Sequence, residues 1–218
     1  MSRFFSHTVL YFVCVGCLSS IADADDNFTT GTNSASAQEA EAYSLINRFR
    51  ADPQGELARI FSDVTGDSYT QSSLADILNN APEPLPPNWW KNTFNAGSSS
   101  SLAFNSMDFF GTNPSVLQSQ WDNLPATGSL FSYQWNGNVG WAAHQYADCV
   151  EADAGSSPNP HAVAGAPSLG DRFTDSGYTG WNNVGENIAA DFDPDVVLMH
   201  MGFAVDWGFG DDGIQKGM

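Results

Sequence analysis

The sequence predicts a single packed domain built on amphipathic helices, and three observations carry that reading. Near the start, "AQEAEAYSLINRFRA" sets Ala42, Leu45, Ile46 and Phe49 at i, i+3, i+4 and i+7, one face of a helix. From Gly137 onward Val139, Ala142, Ala143, Tyr146 and Val150 trace a second helical stripe. The 218 residues are 42% hydrophobic with 15 Phe and 7 Trp, enough for one sizeable core, and length favours one domain over two.

The N-terminus reads as an export leader over residues 1–24. Arg3 supplies the positive end, Thr8 to Ile21 is mostly apolar, and Ala22 to Ala24 form a small-residue cleavage site. A secreted, periplasmic or cell-surface location follows. The apolar run is short for a bilayer span and no second run follows, so integral membrane association is not expected. Cys14 and Cys17 fall inside the leader, which leaves Cys149 alone in the remaining chain, so core packing rather than an internal disulfide must carry stability. Residues 25–35, acidic and without an apolar period, read as a flexible linker.

Asp52 and Pro53 read as an N-cap and first turn, restarting a helix through Leu57, Ile60 and Phe61. Residues 63–130 show neither period over much of their length and are rich in Pro, Asn and Ser, which reads as a long insertion or lid. Its Trp89 and Trp90 suit an aromatic ligand platform or, the plainer reading, the covering of an apolar face. Asn113 and Pro114 resume a helix. His144 lies beside the stripe that begins at Gly137 and reads as a partly buried helix residue. A short helix is expected at Asp171 to Thr174. The last helix, capped by Asp193 and Pro194, is expected to run to about Trp207, with His200 packed in the core on the stripe of Val197, Met201 and Ala204.

Seven Lys and Arg against 25 Asp and Glu give a formal net charge of -18. Such a field repels phosphate backbones and makes nucleic acid an unsuitable partner, leaving cations and neutral or basic ligands open. No nucleophile elbow, zinc-protease helix or phosphate-binding glycine loop is present. "DFDPDVV" opens with the alternating acids of a calcium loop but lacks the glycine at position six and the acid at position twelve.

What remains is an ordered set in the second half: His161, the pair Asp171 and Arg172, the pair Gly177 and Tyr178, "GENIA" at Gly185 to Ala189, then a helix carrying an acid. Together with "EAYSLINRFRADPQGEL" and "YQWNGNVGWAAHQYADCV", this set resembles the CAP superfamily, the SCP-like extracellular domain of cysteine-rich secretory proteins, antigen 5 and pathogenesis-related proteins of class 1. The resemblance covers most of residues 36 to 210 and is strongest in "RFTDSGYTGWNNVGENIAA". It implies an α+β fold, an α-β-α sandwich, with a cleft lined by histidines and acids. By that likeness His161 is the first cleft histidine and a candidate metal ligand, Glu186 a cleft carboxylate, and Asp206 the candidate second acid. The family pattern continues into a second histidine and closing strands, whereas this sequence stops at "GDDGIQKGM" with no histidine after His200. The resemblance therefore implies a C-terminally incomplete domain over residues 36–218.

Taken from the residues alone, His161 also fits an exposed loop histidine, Glu186 a carboxylate at the start of an element, and Asp206 a solvated acid. Imidazole beside carboxylate serves two chemistries: weak ligation of zinc or another divalent ion, and general acid or base work. The resemblance implies a secreted module that captures a small apolar, sterol-type ligand, a divalent cation or an extracellular protein. A metal-assisted, peptidase-like hydrolase and an acidic structural or cell-surface component are the alternatives.

Overall fold

The structure, a computed structural model, describes residues 8–15, 28–94, 100–125, 132–152, 161–190 and 195–205. In chain order its elements are β1 (Thr8–Val15), α1 (Ala37–Ala51), α2 (Pro53–Thr65), α3 (Gln71–Asn79), α4 (Trp89–Thr93), α5 (Ser100–Phe110), α6 (Pro114–Asp122), α7 (Gly137–Ala152), α8 (Leu169–Asp175), β2 (Asn183–Ala190) and α9 (Val196–Ala204). Helix dominates. The α-β-α sandwich implied by the resemblance is overturned, because the described residues hold no central sheet for helices to cover. The strand pairing among them is one parallel pair, β1 with β2, in register from Thr8 opposite Asn183 to Val15 opposite Ala190. The described residues between "NRFRA" and "YQWNG" fold as helices α2 to α6 with turns between them and add no strand.

The chain divides into two compact units, residues 1–40 with 133–194 and residues 41–132 with 195–218. In the first unit α7 packs against β1 and α8, and α8 meets β2. Its core is Val139, Ala142, Ala143, Tyr146, Cys149, Val163 and Phe173, with Tyr178, Trp181, Val184 and Ile188 partly buried around it. The α7 stripe read from the sequence is thus the buried one. Residues 28–36, expected as part of a flexible linker, lie instead as a strap along α7. Thr29 donates its backbone N–H to Gln145 Oε1 at 2.7 Å, and the Thr29 carbonyl accepts from Trp141 Nε1 at 2.8 Å. Asn33 N–H donates to the Gly137 carbonyl at 3.0 Å, and Asn138 Nδ2 donates to the Gly31 carbonyl at 2.8 Å. Side-chain amides and indoles on α7 supply partners that composition does not reveal.

In the second unit α2 is central, packed on α3, α6 and α9, while α5 meets α4 and α9. Asp52 caps α2 by accepting from Gly55 N–H at 3.3 Å, Pro53 fills the first turn, and Gly66 closes it in the left-handed region at φ 78°. The segment 63–130, expected as an insertion or lid, supplies α3 to α6 and most of this unit's core. Phe61 is fully buried among Tyr69, Trp90, Phe94 and Phe104. Trp90 donates its indole N–H to the Thr112 carbonyl at 2.9 Å, and Trp121 donates to the Pro53 carbonyl at 2.8 Å, so both rings bury without an orphaned donor. Each short helix contributes only two or three apolar residues, too few to show a period.

Asn113 caps α6 by accepting from Val116 N–H at 3.1 Å, as its sequence predicts. The last helix begins two residues later than expected: Asp195 Oδ1 accepts from the N–H groups of Val197 and Leu198, each at 3.0 Å. It also ends earlier than the expected Trp207, at Ala204, because Val205 adopts an extended backbone with φ -106° and ψ 127°. Asp193 and Pro194 lie outside the described residues, as does most of the proposed leader.

Candidate functional site

The first unit gathers three side chains around Glu186: Arg172, Tyr146 and His161. Strand alternation along β2 places Val184, Glu186 and Ile188 on one side, and Val184 and Ile188 pack against the unit's core. A carboxylate at the middle of that face enters the core side, and its side chain is 4% exposed. Such burial requires partners. Arg172 on α8 provides them: Nη1 donates to Glu186 Oε2, and Nη2 donates to Oε1 at 3.3 Å. Ser168 positions that arginine by capping α8, accepting from Asp171 N–H at 3.3 Å, while Ser168 Oγ donates to Asp171 Oδ2 at 2.6 Å.

The other face of the guanidinium lies on Tyr146 of α7, with its carbon 3.4 Å from the ring centroid. Burial pushes the Tyr146 phenol up from its ordinary value, the Val163 N–H and the Arg172 charge oppose that, and Glu186 adds to it. The ring stays protonated at neutral pH, and its oxygen accepts from Val163 N–H at 3.4 Å. His161 completes the set. Its Nδ1 lies 3.0 Å from Glu186 Oε1, and half of its side chain is exposed. A carboxylate forked by an arginine only accepts, so Nδ1 carries the hydrogen, which fixes both the tautomer and the ring's orientation.

Two of the three candidates named by the sequence are therefore brought together, His161 and Glu186, while Asp206 lies outside the described residues. Arg172 was visible as half of the Asp171 and Arg172 pair, but without a role. Its signal is electrostatic: a buried acid between two apolar strand residues demands a cation, and this chain has only seven Lys and Arg to offer. Tyr146 read as a core residue of the stripe and is one, with the added task of backing the guanidinium.

The arrangement does not suit a divalent cation at Glu186. Both carboxylate oxygens accept from Arg172, so a metal there would sit beside a guanidinium, and His161 is the one imidazole in hydrogen-bond reach of Glu186 among the described residues. No group of three or more His, Cys, Asp or Glu side chains converges for a metal among those residues. Comparison with protein-family models, with curated proteins and with solved structures finds no match. Chemically, the set is a rigid mount: Arg172 fixes Glu186, and Glu186 fixes a half-exposed imidazole.

Proposed function

We propose that this chain is an exported binding module, kin to the SCP-like proteins by its motifs, whose ligand contact is His161. One observation carries the reading: Glu186 is held by Arg172 on both oxygens and in turn holds His161, whose ring is half exposed. An oriented, half-exposed imidazole suits a single polar anchor for an otherwise apolar molecule, and the partly buried Tyr178, Trp181, Val184 and Ile188 belong to the same unit. The ligand class is a small apolar compound bearing one hydroxyl, of the sterol type. The hydrolase alternative is disfavoured by the same fork, since a carboxylate already accepting two guanidinium hydrogen bonds is poorly placed to take a proton from water.

The test uses the fluorescent sterol dehydroergosterol with the full chain, following energy transfer from tryptophan. Saturable binding weakened at least tenfold in His161→Ala, with near-ultraviolet circular dichroism unchanged, is the expected result. A folded protein that shows no saturable signal, or a variant that binds equally well, would overturn the proposal.

A further inference from the structure

The strap of residues 28–36 is held as a bound peptide would be, on a surface that the binding reading does not use. Three alternate residues, Thr29, Gly31 and Asn33, turn both of their main-chain groups toward α7 and its flanks. The Gln145 amide forks onto Thr29, accepting from its N–H at 2.7 Å and donating to its carbonyl at 3.2 Å. Trp141 Nε1 gives that carbonyl a second donor at 2.8 Å. Gly31 donates to the carbonyl of Ser176, at the end of α8, at 3.3 Å and accepts from Asn138 Nδ2 at 2.8 Å. Asn33 donates to the Gly137 carbonyl at 3.0 Å and accepts from Trp135 Nε1 at 3.3 Å.

Each of these partners lies at least 102 residues further along the chain, so a covalent neighbourhood does not explain the fit. The side chains of the strap are read at fewer points. Phe28 packs, partly buried, against the core of the first unit. The hydroxyls of Thr29 and Thr30 donate to Gln145 Oε1 at 3.2 Å and to the Asp175 carbonyl at 2.9 Å. Gly31 faces the Trp141 ring, where a Cβ would lie 2.5 Å from the indole nitrogen. From the other side Gly137 lets the strap approach, since a Cβ on it would lie 2.8 Å from the Asn33 carbonyl oxygen. Thr32 and Ser34 are exposed.

Main-chain bonds that any sequence can make supply affinity, and a few side-chain positions supply selection, which is how proteins recognise extended peptides. We propose that α7 and the end of α8 form a peptide-recognition groove, selective for an extended segment with an aromatic residue and a glycine three places after it. Residues 28–33 are its occupant in cis. Their tether gives them an effective concentration on the order of mM, so a second peptide enters when the strap is displaced or outnumbered.

The probe is the end-blocked peptide of residues 28–34 carrying fluorescein, and the receptor is the full chain with Gly31→Val, whose strap cannot lie flat on Trp141. Fluorescence anisotropy should show saturable binding to that variant and at least tenfold weaker binding to the unsubstituted chain, whose own strap competes. Adding Gln145→Ala should weaken binding to the variant about tenfold through the lost amide fork. The same peptide carrying Gly31→Val should not bind. A folded Gly31→Val chain without saturable binding, or equal binding of both peptides, would overturn the groove. Should near-ultraviolet circular dichroism show that the variant does not fold, hydrogen exchange in the unsubstituted chain replaces it. Peptide at about millimolar concentration should then speed the exchange of residues 28–36 by displacing the strap, and unchanged exchange would overturn the proposal.

Discussion

The guanidinium carbon of Arg172 lies over the ring of Tyr146, 3.4 Å from its centroid, while the same group forks onto Glu186. A cation on the face of an aromatic ring and a carboxylate at its edge satisfy opposite sides of one planar group. Both ions are nearly excluded from water, with side chains 2% and 4% exposed.

Breaking that pair from one side should therefore be severe. Arg172→Met leaves Glu186 buried without its cation, and the expected loss is about 3 to 5 kcal/mol in urea unfolding. Arg172→Met combined with Glu186→Leu removes both charges and should be less destabilised than Arg172→Met alone. If the double variant is the worse of the two, the pair is not acting as a coupled ion pair.

A lone acid stands in "GWNNVGENIAA", and a matching one stands in "DPQGELARI". Glu56 sits among Pro53, Leu57, Ile60 and Phe61 on a buried helix stripe, and Glu186 sits between Val184 and Ile188 on a strand face. An acid on a buried face can be read from periodicity, but its partner cannot, because Arg172 at Glu186 and His200 at Glu56 come from distant elements. Only seven cations exist in the chain, and Arg48, Arg59 and Arg172 are drawn to the two buried acids against an overall charge of -18. The stripes of α1 and α7 and the caps Asp52 and Asn113 were legible because they are local. Helices α3 to α6 were not, since each is too short to establish a period and their fit depends on rings meeting in three dimensions. The sandwich inferred from motif order failed for a related reason: motifs fix a few positions and not the layers between them.

The aromatic cluster of the second unit predicts where stability concentrates. Phe61 touches Tyr69, Trp90, Phe94 and Phe104, with ring centroids 4.8 to 6.5 Å apart. Phe61→Ala should lower the unfolding free energy by about 3 to 5 kcal/mol through lost burial and the cavity left behind. Phe109→Ala, at a residue 82% exposed, should change it by less than about 0.5 kcal/mol. Both are measured by urea denaturation followed through tryptophan emission.

His144 and Glu39 form a surface pair with a defined pH window. Nε2 of His144 lies 2.9 Å from Glu39 Oε1. The hydrogen bond to Glu39 raises the His144 imidazole above its ordinary 6.5, against some desolvation. Burial alone would push the Glu39 carboxyl up, but His144 and the N–H and hydroxyl of Ser36 outweigh it and hold the group below 4.5. A raised histidine contributes stability that is present below its unfolded value and lost as pH rises through its folded one. A lowered carboxylate contributes above its unfolded value and loses it as pH falls. The pair is therefore strongest from about pH 4.5 to 6.5. Because His144 is 45% exposed, the gain should stay within about 1 kcal/mol. His144→Gln should lose that increment at pH 5.5 and match the unsubstituted chain at pH 9, as read from urea midpoints.

The strap along α7 depends on a glycine for a steric reason. A Cβ added at Gly31 would lie 2.5 Å from Trp141 Nε1, and the indole cannot swing aside without losing its hydrogen bond to the Thr29 carbonyl. Gly31→Ala must then shift either the strap or the ring, and overpacking of this kind costs about 1 to 3 kcal/mol. A lifted strap also breaks the bonds from Asn138 to Gly31 and from Thr29 to Gln145, which exposes residues 28–36 to proteases. Limited digestion with thermolysin, mapped by mass spectrometry, should show faster cleavage in that segment for Gly31→Ala. Ser34→Ala, at an exposed position of the same strap, should be cut at the unsubstituted rate. Equal rates for all three proteins would mean that the strap is not held by its fit against Trp141.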